Sequence, residues 1–309
     1  MEDTENAKDK EPDMLWHYTK LDVLDKMFPP KESNAYNEGK IRLRFTNCRF
    51  TNDPTESLTL RKMIIEKKDK IISLLKDKYR DENFNYDIND KLSEISDNYI
   101  FSATRLRDSM IFWGRDYAGT DGIAIGFNNI NDFKKVIYLD DFSDEHIKNA
   151  VNIMPRQYYL DKAIRSDEFT QIPDIANSED ICYPLNEFID LYSIIYKSKS
   201  WEHEAEFRII STNVGERLYR SPKLHKEFKE VNLDYKILGG VLNPKIECIG
   251  NIVKKVCYRL FDKDIINSIT LGPDCKPEYE EAVKFYLITN GYDNITVSRS
   301  HAFDLRHHP

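Results

Sequence analysis

The sequence predicts a mixed α+β domain over residues 14–300, with flexible tails at 1–13 and 301–309. Three observations carry that prediction. Segments with apolar residues at every second position alternate with segments at helical spacing, and the chain opens strand–helix–strand. No internal stretch rich in Pro, Gly or Ser divides it. Its 309 residues are 40% hydrophobic and 12% aromatic, enough to bury a large core.

Met14-Leu15-Trp16-His17-Tyr18-Thr19 is predicted as a short strand. Thr19 then caps a helix with Leu21, Leu24 and Phe28 along one side, and Pro29-Pro30 stops it. A second strand is predicted from Lys40 to Arg44, where Ile41 and Leu43 alternate with basic residues. Asp53 at an N-cap, Pro54 at the first helical position and Glu56 three after the cap predict a helix start. That helix is expected to run to about Lys78, with Leu58, Met63, Ile64, Ile71, Leu74 and Leu75 inward and its lysines solvated. Residues 80–97 read as linker, and Asn98 to Thr104 as a strand. Asp108 is expected to cap a short helix through Met110, Phe112, Trp113 and Tyr117, and Gly119 to Gly122 to turn the chain into a buried strand, Ile123 to Phe127.

Further on, strands are expected near 135–139 and 156–160, helices over 144–152 and 186–196, and a strand and turn over 237–244. A helix is predicted near Ile246 to Leu260, then a strand at Ile269 to Leu271, a helix from Pro277 to about Thr289, and a last strand at Ile295 to Ser298.

The formal net charge of −8 argues against non-specific grip on nucleic acid, while leaving room for a local basic cleft. The mean hydropathy is −0.61, and no apolar run approaches the roughly 18 residues of a membrane span. The polar N-terminus has no secretory h-region. Five scattered cysteines, odd in number and without a C-x-x-C pair, fit reduced thiols and no zinc ribbon. The expected compartment is therefore the cytoplasm. No Walker-type or dinucleotide-type glycine loop, H-E-x-x-H or G-x-S-x-G is present, and no metal is expected.

The most informative stretch is Trp201-Glu202-His203-Glu204-Ala205-Glu206-Phe207-Arg208-Ile209-Ile210. As a strand, it places Glu204, Glu206 and Arg208 on one face, and Phe207 and Ile209 in a core. The carboxylate pair fits two situations. In a cleft, one carboxylate can bond a sugar hydroxyl and stabilise positive charge at an anomeric carbon while the other orients a nucleophile. On a sheet edge, the same residues form an ordinary surface Glu–Arg pair. His17 and Thr19 can each bond a ribose hydroxyl, and Tyr99, Trp113 and Tyr117 offer rings for stacking on a planar base. The bland alternatives are a half-buried histidine and a row of core aromatics. Asn52-Asp53 reads as part of a helix start.

In this order, Trp16-His17-Tyr18-Thr19, Phe50-Thr51-Asn52-Asp53-Pro54-x-Glu56, Phe101-Ser102, Trp113-x-x-x-Tyr117, Gly122 to Phe127 and Trp201-x-x-Glu204-x-Glu206-x-Arg208 resemble the bacterial domain-of-unknown-function family twenty-nine seventy-one. More distantly, the chain resembles NAD-dependent ADP-ribosyltransferases, which implies a split mixed sheet with flanking helices. The resemblance makes His17 and Thr19 ribose ligands, Tyr99 or Ser102 the second motif, and Tyr117 with Trp113 the nicotinamide sandwich. Glu206 becomes the catalytic carboxylate and Glu204 the group that positions the acceptor. Tyr18, Asn52 and Arg208 complete the implied NAD-binding set. The implied activity is cleavage of the nicotinamide–ribose bond of NAD and transfer of ADP-ribose to a protein or nucleic acid, as in bacterial toxins and phage-defence effectors. The alternatives are an NAD glycohydrolase and a non-catalytic nucleotide- or protein-sensing module.

Overall fold

The computed structural model describes residues 13–51, 58–79, 98–114, 117–128, 131–139, 193–212, 244–249 and 252–302. Its strands are β1 (Leu15–Thr19), β2 (Lys40–Asn47), β3 (Asn98–Thr104), β4 (Ile123–Phe127), β5 (Lys134–Lys135), β6 (Ile137–Leu139), β7 (Tyr196–Ser198), β8 (Glu206–Thr212), β9 (Lys245–Ile249), β10 (Ile252–Asp262), β11 (Ile266–Leu271) and β12 (Thr296–Arg299). The helices are α1 (Leu24–Met27), α2 (Thr59–Glu66), α3 (Lys68–Tyr79) and α4 (Pro277–Thr289). The result is a mixed α+β fold: a central mixed sheet with flanking helices.

Ten strands form the central sheet, in the order β12-β11-β4-β1-β3-β2-β10-β9, with β8 added on β3 and β5 on β8. All its pairs are antiparallel except β11 with β12. The junction is β3. One of its edges is paired with β8 along its whole length, from Asn98↔Thr212 to Thr104↔Glu206. The other is shared, β1 meeting it at Thr104 and β2 at Tyr99 and Ile100. Between those points β1 and β2 part.

Register then decides what each face carries, because residues directly opposite share a face. Thr46 lies opposite Ile100 and Val256, and Arg44 opposite Tyr258. Ser102 lies opposite Arg208, and Thr104 opposite Glu206 and Trp16. Arg44, Thr46, Lys254, Ser102, Glu206 and Arg208 therefore belong to one face. Leu43, Phe45, Tyr99, Phe101, Phe207 and Ile209 belong to the other and are buried in the main core. That core is closed by Val23 and Met27 at α1 and by Val283 and Leu287 of α4. At its centre the Phe101 ring meets Phe45 at 5.8 Å and Phe127 at 5.5 Å, both tilted rather than stacked.

Several expectations are corrected. Thr19 ends β1 without capping; Lys20 is the N-cap of a 3-10 turn that runs into α1. The predicted long helix is two helices broken at Lys67, and it buries Leu60 and Ile64. Residues after Asp108 form turns instead of a helix, because the Asp108 carboxylate is held by the Trp113 indole, Ser300 and the His301 amide. The predicted 135–139 strand is interrupted at Val136, whose amide bonds the Glu206 carbonyl. Tyr196 starts β7 in place of ending a helix.

The largest correction lies at 246–260, which is an antiparallel hairpin of β9 and β10. Ile246, Val253 and Leu260 fall at helical spacing, yet all three are exposed. The β-branched residues and the pairing of β10 with β2 outweigh that spacing. Asn52, the Asp53 helix start and the predicted elements at 144–152, 156–160, 186–192 and 237–243 lie outside the described residues. No described helix is long and apolar enough to cross a membrane. Cys48, Cys248, Cys257 and Cys275 are free thiols.

Candidate functional site: a charged cleft at the strand junction

Where β1 and β2 part, a cleft of about 350 Å³ opens beside β3. This is within the size range of small-molecule sites. Its lining brings together residues far apart in sequence: His17, Tyr18, Thr19, Ser102, Tyr117, Glu204 and Glu206.

Glu204 and Glu206 do not come from one strand. Residues Lys199–Glu204 form a 3-10 turn, and Ala205 is left-handed at φ 45°. A non-glycine residue is strained there. The kink is fixed at both sides, the Ala205 amide donating to the Glu202 carbonyl at 3.1 Å and the Thr104 hydroxyl to the Glu204 carbonyl at 2.7 Å. Glu204 thereby swings back beside Glu206, and both are buried. The alternation expected over this stretch holds only from Glu206 onward.

Two buried carboxylates need compensation. Arg208 grips Glu206 with two bonds, Nε to Oε1 at 2.8 Å and Nη2 to Oε2 at 2.7 Å. Lys197 from β7 bridges the pair, at 2.6 Å to Glu204 Oε2 and 3.3 Å to Glu206 Oε2. Its Nζ also sits 4.7 Å from the centre of the Trp201 ring. The Tyr117 hydroxyl donates to Glu204 Oε1. Burial pushes the Glu206 carboxyl up, but Arg208, Lys197 and a hydrogen bond from Ser102 outweigh it and hold the group well below the usual carboxylate range, at about 2. Glu206 is thus an ionised carboxylate at neutral pH.

His17 comes from β1; its neighbour Trp16 lies opposite Thr104, so the His17 side chain is on the Phe101 face of the sheet while Glu206 is on the other. Its ring stacks on Phe101 with centroids 4.3 Å apart. Its Nδ1 lies 2.7 Å from the Ser102 carbonyl, which only accepts, so Nδ1 carries the proton. Burial lowers its pKa to about 4 against the raising effect of that bond, and the charge of Arg44 lowers it further. The neutral ring keeps Nε2 as an acceptor.

Tyr18 holds the loop that supplies Tyr117. Its hydroxyl donates to the Leu106 carbonyl and accepts from the Ser109 amide, each at 3.0 Å. Its ring stacks on Phe112 at 4.8 Å, and Phe112 meets Tyr117 edge-on at 4.9 Å.

Three predicted site residues do not line the cleft. Tyr99 is in the main core, since on β3 its side chain points with Phe101 away from Ser102. Trp113 packs on Trp16 and spends its indole N–H on Asp108. Arg208 is fully buried, with Nη1 donating to the Ile194 carbonyl; it positions Glu206 and does not face a ligand. Sequence reasoning missed Lys197, which sits in a Lys-Ser-Lys-Ser run that reads as a polar linker. It also missed Arg44, Lys254, Lys20 and Lys26, all of which line the cleft. The alternation of Ile41 and Leu43 with basic residues was a signal for Arg44 alone.

No protein-family model, curated protein or solved structure matches this chain. The resemblances stated above therefore rest on the quoted motifs.

Proposed function

We propose that this cleft binds NAD and cleaves its nicotinamide–ribose bond, in the manner of an ADP-ribosyltransferase-like protein. One observation carries the reading: residues 17, 19, 102, 117, 204 and 206, singled out from separate parts of the sequence, line a single cleft. In this reading Tyr117 lies against the nicotinamide, while His17 and Thr19 hold the ribose. The glycosidic bond breaks with its electron pair leaving on the nicotinamide nitrogen, which becomes neutral. The resulting oxocarbenium-like sugar is stabilised by Glu206, whose ionised state suits it to electrostatic work and not to proton donation. Glu204 orients the nucleophile and Lys197 keeps the two carboxylates together. Arg208 acts through Glu206 as a positioning residue.

The acceptor is a protein or nucleic acid in the transferase reading and water in the glycohydrolase reading. A role as a bacterial toxin or phage-defence effector follows by analogy. NAD labelled in its adenine separates the acceptors: label carried into lysate macromolecules marks transfer, and free ADP-ribose with no labelled acceptor marks hydrolysis. Absence of both, with no heat of NAD binding by calorimetry, contradicts the proposal.

A second reading, a non-catalytic nucleotide-sensing module, is favoured by one feature. Both Glu206 oxygens already accept bonds from Arg208, and Oε2 also from Lys197. This reading expects Glu206→Gln to leave NAD binding intact with no nicotinamide release in either protein.

A further inference from the structure

The cations lining the cleft fall into two sets. Lys197 is consumed by the two glutamates, backed by Arg208 beneath them. The side chains of Lys254, Lys20 and Lys26 make no hydrogen bond or ion pair among the described residues, although all three residues line the cleft. Lys254 is half-buried on β10, and on the same sheet face stands Arg44, whose Nη1 is 3.4 Å from Glu247 Oε2. That carboxylate is also engaged by the Tyr258 hydroxyl at 2.6 Å. Burial lowers the pKa of Lys254, and the nearby charge of Arg44 lowers it further. Glu247 stands directly opposite Lys254 in the β9–β10 pair, so a single carboxylate faces two cations and this wall keeps a surplus of positive charge.

Resting on the nucleotide reading above, we propose that Arg44 and Lys254 form a diphosphate subsite, so that the cleft takes a nucleoside diphosphate group with its sugar toward Glu204 and Glu206. Arg44 supplies a fork for phosphate oxygens and Lys254 a point charge. Lys20 and Lys26 add two cations from the segment after β1, against one carboxylate there, Asp22, which also lines the cleft. A cavity of about 350 Å³ suits a free nucleotide better than the backbone of a polynucleotide, and the net charge of −8 offers no broad track for one.

The test is calorimetric titration of the full chain with ADP, adenosine and a short single-stranded oligonucleotide. Wild type is expected to bind ADP at least about tenfold more tightly than adenosine, with an advantage that shrinks as salt rises. Lys254→Ala removes one of the two cations that face Glu247 and should abolish most of that advantage while leaving adenosine affinity unchanged; Lys254→Glu should reverse it. Equal affinity for ADP and adenosine in wild type, or an advantage that survives Lys254→Glu, overturns the subsite. So does tighter binding of the oligonucleotide than of ADP, lost in the same variants, which assigns the cations to a nucleic acid. Nicotinamide release is a separate readout: ADP selectivity without release supports the subsite while contradicting the cleavage chemistry, and release whose KM ignores Lys254→Glu does the reverse.

Discussion

Two charge clusters share one cleft and are built on opposite principles. Around Glu204 and Glu206 every charge is buried and answered: Lys197 bridges the carboxylates and Arg208 clamps one of them. Around Lys254 and Arg44 the cations are half-buried, and only Arg44 has a carboxylate partner among the described residues. The first cluster is part of the fold, since a buried ion pair stripped of one member leaves an uncompensated charge. The second sets one carboxylate, Glu247, against two cations, Arg44 and Lys254, and leaves a surplus of positive charge at the cleft. Removing a cation from each should therefore have very different consequences.

The largest effect is expected from Arg208→Met. It leaves Glu206 buried with Lys197 alone, and should cost about 3–5 kcal/mol of unfolding free energy in a denaturant titration. A loss under about 1 kcal/mol would show that the clamp is solvated. Next comes pH. His17 titrates near 4 when folded and 6.5 when unfolded, so the unfolded chain binds the extra proton between those values. Its contribution is complete above about pH 6.5 and is lost as pH falls toward 4, roughly 3 kcal/mol in all. His17→Gln should flatten stability between pH 6.5 and 4.5. Glu206, depressed from 4.5, adds its own loss only below pH 4.5.

A smaller effect links the two clusters. Because Arg44 lowers the pKa of His17, Arg44→Gln should raise it, visible as an upward shift in an NMR titration of the ring. An unchanged titration would separate His17 from the cationic wall. Tyr117→Phe loses one donor to Glu204 and should cost about 1 kcal/mol of stability while keeping NAD affinity; Tyr117→Ala should lose that affinity. The smallest change is expected for Lys254→Ala, within about 0.5 kcal/mol of wild type by the same titration.

How much of this was legible in the sequence differs by element. Asn98 to Thr104, Ile123 to Phe127 and Pro277 to Thr289 match their predicted bounds: the first is a Tyr-Ile-Phe-centred run, the second an apolar run entered from a glycine turn, and the third starts at a proline. The β9–β10 hairpin was not legible: its exposed Ile246, Val253 and Leu260 mimic a helical stripe, and only pairing with β2 reveals the strands. The candidate site was legible as residue types, through His17, Tyr117, Glu204 and Glu206. How they meet was not. Glu204 reaches its partner through the left-handed Ala205, a conformation no periodicity announces. Lys197 and Lys254 enter through tertiary folding of segments that read as a linker and a helix.

The proposed cleavage of NAD by Glu206 in this cleft can be followed as nicotinamide release from NAD with purified wild type and Glu206→Gln, in protein shown by calorimetry to bind NAD in both forms. Wild type is expected to release nicotinamide, with a fall of at least about 100-fold in the variant. Equal release by both proteins, or NAD bound by wild type and left intact with and without cell lysate, would contradict it.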